Sequence, residues 1–236
     1  MEDLSNNYGK LTNEQVSEFF KHVYTYMFIA LGISGVLAYI IGSDMNLFSQ
    51  LFISGNGLSG LFWVVALAPI ALGLIIQTAF MRLSLNALMA LFVLYSALMG
   101  MSLSSIFIVY EMGAIAWTFM VTAGAFAGMA VLGYTTKTDL SKMGSLLYMA
   151  FIGMFIASIV NIFMRNDQFG FIIACIGVFV FTGLTAYHMQ RLKELAQNQE
   201  ISGEDKQKLA LIGGLQLYIL FVNLFLSLLR ILGGRR

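Results

Sequence analysis

Residues 209–229 read LALIGGLQLYILFVNLFLSLL, twenty-one positions without a charged side chain. A helix needs about 20 such residues to cross ~30 Å of hydrocarbon. Within this run Gln216, Leu220, Asn223 and Ser227, followed by Arg230, are spaced four, three, four and three apart, so they share one helix face. Four of the five are polar. A polar stripe on a membrane helix belongs against the protein interior, facing either partner helices or a pore. These five residues are ion-pathway candidates on the second reading and helix–helix contacts on the first.

Six more charge-poor runs precede it: Val23–Ile41, Phe62–Phe80, Leu85–Val109, Met112–Tyr134, Met143–Met164 and Phe169–Tyr187. Each has spanning length, and none alternates with the period of two that a β-barrel requires. The composition agrees, with 59% of 236 residues hydrophobic and 11% charged. A soluble domain carries roughly 25% charge, and a disordered chain is poor in apolar residues. The expected architecture is an all-α integral membrane protein with seven transmembrane helices. A polar N-terminal tail, residues 1–22, leads into a single transmembrane domain, residues 23–236. The tail has no apolar core of the cleavable-signal type. The single proline, Pro69, suits a helical chain with few breaks. His188–Lys208 is the longest charged stretch and is expected to extend the sixth helix beyond the lipid.

Basic residues set the orientation. The N-terminal tail, Met81–Ser84, Thr135–Lys142 and His188–Lys208 hold nine of the 13 Lys and Arg residues. These segments all fall on one side of a seven-span chain, which predicts a cytoplasmic N-terminus. The basic C-tail, Arg230, Arg235 and Arg236, is discordant and would fit a re-entrant last run instead.

No Lys, Arg, Asp or Glu lies within Phe62–Phe80, Leu85–Val109, Met143–Met164 or Phe169–Tyr187. That argues against a carboxylate proton relay and against a retinal Schiff base. HExxH, GxSxG, P-loop and CxxC signatures are missing, so no enzymatic activity, metal or cofactor is expected. The net charge of +1 predicts no nucleic-acid partner. Cys175, alone in an apolar run, reads as a small packing residue. Gly124 and Gly128 form a GxxxG pair expected to let two helices approach closely. His188 ends the sixth run, with Thr185 and Arg191 one turn to either side. It reads as an interfacial histidine or, since histidine titrates near neutrality, as a proton sensor. His22 reads as interfacial. Arg82 reads as a topology anchor and Glu111 as a solvated loop carboxylate or a group at a cation mouth.

Four segments carry a family resemblance: YSALMGMSLSSIFIVY (Tyr95–Tyr110), GYTTKTDLS (Gly133–Ser141), FTGLTAYHMQRLK (Phe181–Lys193) and LQLYILFVNLFLSLLRILG (Leu215–Gly233). The chain resembles the Bax inhibitor-1, or transmembrane Bax inhibitor motif, family in its bacterial branch. The resemblance implies six helices surrounding a central seventh, and a bacterial inner-membrane location. It also implies pH-gated calcium leak as the family activity, suppression of cell death in eukaryotes, and modulation of a membrane-bound AAA protease by some bacterial members. Arg82 matches the family's basic residue after the second helix, and Arg230 the arginine ending the last motif.

The match breaks at two positions. Calcium-leak members carry an aspartate after the tyrosine of the sixth-helix motif and another two residues after the tyrosine of the seventh. Here these positions are His188 and Leu220. Two close carboxylates share a proton and supply oxygen ligands to Ca²⁺. A His–Leu pair does neither. The expectation is therefore an ion leak for calcium or another cation, with altered gating in which His188 carries any pH response. The alternative is a non-conducting modulator of a membrane protease or a stress response.

Overall fold

The computed structural model describes the backbone of residues 2–55, 57–197 and 203–234, and the side chains of these from residue 14 onward. Arg235 and Arg236 of the basic tail lie outside the described residues.

The chain is helical almost throughout. In order it forms α1 (Glu2–Ser43), α2 (Met45–Phe52), β1 (Ile53–Ser54), β2 (Gly57–Leu58), α3 (Gly60–Ala79), α4 (Leu85–Leu103) and α5 (Ile106–Val109). Then follow α6 (Met112–Thr135), α7 (Ser141–Met164), α8 (Asp167–Gln197) and α9 (Glu204–Leu232). Among the described residues seven stretches are long and apolar enough to cross a membrane, and they coincide with the seven expected runs. α1 is continuous through residue 22, so the expected tail is not set off by a break in the helix. α8 runs ten residues past Tyr187, as its charged end suggested. α9 has no interruption, which leaves no place for a re-entrant turn.

Local chemistry sets the ends. Asp44 Oδ1 accepts the N–H groups of Asn46 and Leu47 at 2.9 and 3.2 Å and starts α2. Ser59 and Ser84 accept Phe62 N–H and Ala87 N–H, each at 3.3 Å, and start α3 and α4. These side chains satisfy donors that a helix N-terminus leaves unpaired. Arg165 takes a left-handed conformation, φ 51°, and closes α7 by donating its N–H to Asn161 O at 2.8 Å. Pro69 sits inside α3 without ending it.

Two local features depart from the sequence reading. The segment between the first two spans folds into α2 and a two-stranded hairpin, with Ile53 opposite Leu58 and Gly55 at φ +57°. The third span breaks at Ser104–Ser105. Ser104 Oγ donates to Met101 O at 2.6 Å and Ser105 Oγ to Ser102 O at 3.1 Å. Serine hydroxyls bonded three residues back tighten the turn and compete with the α-helical ladder. Gly42 of α1 lies close against the Ser104 carbonyl, where a Cβ would collide.

The chain divides into two compact units, residues 1–110 with 196–218 and residues 111–195 with 219–236. In the first, α1 packs on α4 and α5, and α3 on α4. Ile41, Phe52 and Val65 form one core cluster there. A Cβ on Gly100 would stand 2.7 Å from Ser34 O, so only glycine lets α4 settle on α1 at this point.

In the second unit, Gly133 of α6 lies directly on the Ala186 carbonyl of α8. The Tyr187 ring covers Gly144 of α7, and Leu147 sits against Gly183. Phe119 and Phe126 of α6 meet Phe221 of α9 edge-on, with ring centres 5.3 and 5.5 Å apart. The GxxxG expectation is corrected here. Gly124 and Gly128 are exposed, and nothing lies within 4 Å of where their Cβ atoms would be. The buried face of α6 runs through Ile115, Thr118, Thr122, Phe126, Ala130 and Gly133. Gly124 and Gly128 each follow a residue of that series by two positions, which turns them about 200° away from it.

Burial differs sharply among the spans. In α9, 72% of the apolar window is buried, against 0% in α7. The outward face of α7 carries Met149, Ile152, Ile156, Ile162 and Phe163, all largely exposed. An apolar surface of that extent requires lipid rather than water.

Candidate functional site

His188 stands on α8 and is buried, 6% exposed. Its Nε2 lies 2.7 Å from Tyr148 Oη on α7. The rings of Tyr148 and Tyr187 approach it edge-on, with centres 5.9 and 5.5 Å away. Thr185, one turn earlier, spends its hydroxyl on Phe181 O at 2.7 Å, and Arg191, one turn later, is exposed. An interfacial histidine open to solvent is therefore not what α8 presents. The imidazole is enclosed and tied to a phenol.

Leu220 belongs to the same unit and is also buried, 6% exposed. It offers an apolar surface and no ligand. Among the described residues no three His, Cys, Asp or Glu side chains gather as metal ligands would.

The polar stripe of α9 is half-buried at Gln216, Asn223, Ser227 and Arg230. Leu215, Leu217, Tyr218 and Leu224, distributed around the helix, are more enclosed than the stripe. Asn223 Nδ2 donates to Ile219 O, and Ser227 Oγ to Asn223 O, both at 2.8 Å. These are bonds along α9 itself, not bonds to a neighbouring helix. Ser227 does pack on another helix, where its Oγ closes over Gly177 of α8. The Arg230 guanidinium covers Gly170 in the first turn of α8, with Asn161 Nδ2 beside it. Arg82 is exposed in the turn after α3, in the first unit. Glu111 is exposed ahead of α6, and His22 Nδ1 lies 2.9 Å from Glu18 O on exposed helix surface. His188, Leu220, Asn223, Ser227 and Arg230 belong to the second unit, and Arg82 and Gln216 to the first.

Three residues escaped the sequence reading. Tyr148 sits in an uncharged run and gave no signal of its role. Gln190 donates to Thr138 O and accepts from Leu140 N–H, each at 2.8 Å. Lys193 Nζ donates to Tyr134 O at 2.9 Å and lies 4.8 Å above the Tyr134 ring. The charged end of α8 therefore fastens the connection between α6 and α7. Two of the quoted motifs, Gly133–Ser141 and Phe181–Lys193, are in contact through these bonds. In the same connection, two hydrogen bonds from Ser141, with Lys142 nearby, hold the Asp139 carboxyl below the ordinary aspartate range.

The family described as "Inhibitor of apoptosis-promoting Bax1" matches residues 16–236. An uncharacterized protein of Borreliella burgdorferi is 44% identical over 220 residues, covering 93% of each chain. The inner membrane protein YbhL of Escherichia coli K12 is 41% identical over 215 residues, covering 91% of this chain and 90% of YbhL. An uncharacterized membrane protein of Streptococcus pyogenes serotype M1 is 30% identical over 220 residues, covering 92% and 93%.

Proposed function

The chain belongs to the Bax inhibitor-1 family and is an integral membrane protein, and from that premise we propose that it is a cation leak whose gating is altered at His188 and Leu220. The supporting observation is the buried His188–Tyr148 pair, 2.7 Å between Nε2 and Oη. A charge placed on a histidine enclosed by aromatic rings is a desolvated charge. Protonation there disturbs packing between α7 and α8, which is what a gate requires. Tyr148 from α7 and Tyr187 from α8 face the imidazole. On this reading the protein is not an enzyme. It lies in a bacterial inner membrane, by analogy with YbhL, and its N-terminus is cytoplasmic, as the distribution of Lys and Arg favours.

Calcium conduction through a carboxylate pair is weak or absent on this reading, since neither His188 nor Leu220 supplies an anionic oxygen. The test is flux of Ca²⁺ and of monovalent cations from liposomes between about pH 5 and 8, the range over which histidine changes charge. Absence of flux at every pH overturns the leak. A pH response that survives His188→Gln removes His188 as the gate. The double substitution His188→Asp with Leu220→Asp is expected to raise Ca²⁺ flux.

A second reading is favoured by the buried, apolar Leu220. The protein is then a non-conducting modulator of a membrane-bound AAA protease or of a stress or cell-death response. Pull-down from native membranes distinguishes it, because a leak needs no stable protein partner.

A further inference from the structure

A cavity of about 80 Å³ lies in the first unit, between α2, the start of α3 and the break that follows α4. One side of it is apolar. Phe48 and Phe52 of α2 line it together with Phe62 of α3. Phe52 meets both other rings edge-on, with centres 5.0 Å from Phe48 and 6.1 Å from Phe62. Met101 of α4 adds a flexible thioether to this wall. The other side carries Ser102, Ser104 and Ser105, and no other lining residue has a polar side chain.

The serines stand there because the third span breaks among them. Backbone that leaves helical geometry within a membrane span persists where protein covers it or where it lines a cavity. Both conditions hold at this break. Gly42 of α1 covers the Ser104 carbonyl, and the cavity opens beside the same residues. Ser104 Oγ and Ser105 Oγ each give their single proton to a carbonyl, of Met101 at 2.6 Å and of Ser102 at 3.1 Å. Each hydroxyl retains lone pairs and can only accept. Ser104 has no exposed surface, whereas Ser105 is half-buried, so the lone pairs of Ser105 are the reachable ones. A guest that bonds to Ser105 must bring a donor of its own.

Size and charge narrow the guest further. An apolar cavity of about 150 Å³ holds one benzene, so a space about half as large takes roughly three or four heavy atoms. No lining residue is charged, and an ion would lose its hydration without compensation. We propose that this cavity is a binding site for a small neutral alcohol. The alkyl group packs on Phe48, Phe52, Phe62 and Met101, and the hydroxyl donates to Ser105 Oγ. The site involves neither His188 nor Leu220 and does not rest on the leak reading.

The experiment is a titration of the full chain in phosphatidylcholine nanodiscs, whose headgroups carry no hydroxyl, followed by the ¹³C-labelled methionine methyl resonances. The probes are propan-2-ol and acetone. They share one skeleton of four heavy atoms, and only the alcohol has a proton to donate. Met149, 68% exposed on α7, reports the effect of solute dissolved in the bilayer. The expected result is a saturable shift of the Met101 methyl with propan-2-ol, at concentrations where Met149 moves only in proportion to added solute. Acetone should bind about fivefold more weakly, the usual effect of one hydrogen bond. Ser105→Ala should bring propan-2-ol to the level of acetone. A Met101 shift that is absent, or that tracks Met149 without saturating, overturns the site. Equal saturation by the two probes in the unaltered protein means an apolar void without hydroxyl recognition, and the alcohol assignment is then wrong.

Discussion

Tyr148 Oη and His188 Nε2 lie 2.7 Å apart, one on α7 and the other on α8. Tyr148 is 39% exposed while His188 is 6% exposed, so the bond connects a group at the rim to one inside. Loss of the rim partner removes a hydrogen bond from a buried imidazole. Tyr148→Phe is expected to cost about 1–3 kcal/mol for that reason. His188→Leu removes the buried polar group itself, so the double variant should be less destabilised than the sum of the two singles. A double-mutant cycle on thermal unfolding in detergent measures this coupling. Strict additivity would show that the two side chains do not stabilise each other.

The glycines of α6 make a paired test of packing. Gly133→Ala drives a Cβ into the Ala186 carbonyl, which is backbone and cannot step aside. Overpacking of this kind costs about 1–3 kcal/mol. Gly124→Ala and Gly128→Ala point into open space and should be neutral or stabilising, by up to about 1 kcal/mol of helix propensity. Unfolding midpoints of the three variants decide it. Loss of stability in Gly124→Ala would place a helix against a face that this chain leaves uncovered.

Gln190 is expected to control exchange in the α6–α7 connection. Its Oε1 accepts Leu140 N–H and its Nε2 holds Thr138 O. Gln190→Ala should therefore raise hydrogen exchange at the Leu140 amide while leaving the α6 interior protected. Unchanged exchange at Leu140 would show that the loop keeps its shape without the side chain.

Asp139 gives a pH dependence whose sign is determined. Its folded pKa is lowered, first by hydrogen bonds from Ser141 and then by Lys142. The stabilisation is complete above the ordinary aspartate value. It fades as pH falls from that value toward the lower folded one. Asp139→Asn should remove that acid-side component, which is small because the carboxyl is at the surface. Comparison of midpoint against pH for the two proteins checks it. Parallel curves would show that Asp139 contributes none of the acid sensitivity.

Much of the architecture was legible in the residues. Seven uncharged runs of spanning length read as helices, because a backbone in hydrocarbon must satisfy its own hydrogen bonds and a helix does so locally. The family resemblance also singled out His188 and Leu220, since motif position is a property of the chain order. The break at Ser104–Ser105 was harder to see, because it depends on hydroxyls choosing carbonyls three residues back. Whether a serine does this or faces outward is settled by its neighbours, here Gly42 of α1.

By itself, then, the sequence determined the solvent and seven apolar runs of spanning length. These follow from composition and local periodicity, which act over one or two turns of helix. Only the tertiary structure decided that Gly133, not Gly124 or Gly128, makes the close contact. It also decided that His188 is held by Tyr148, and that Tyr218 is more enclosed than any polar residue of the α9 stripe. Each of these depends on which helix lies opposite, and partners forty or more residues apart leave no periodic trace in the chain. Packing selects among faces that the sequence offers as equals, because burial and hydrogen-bond satisfaction are properties of the pair.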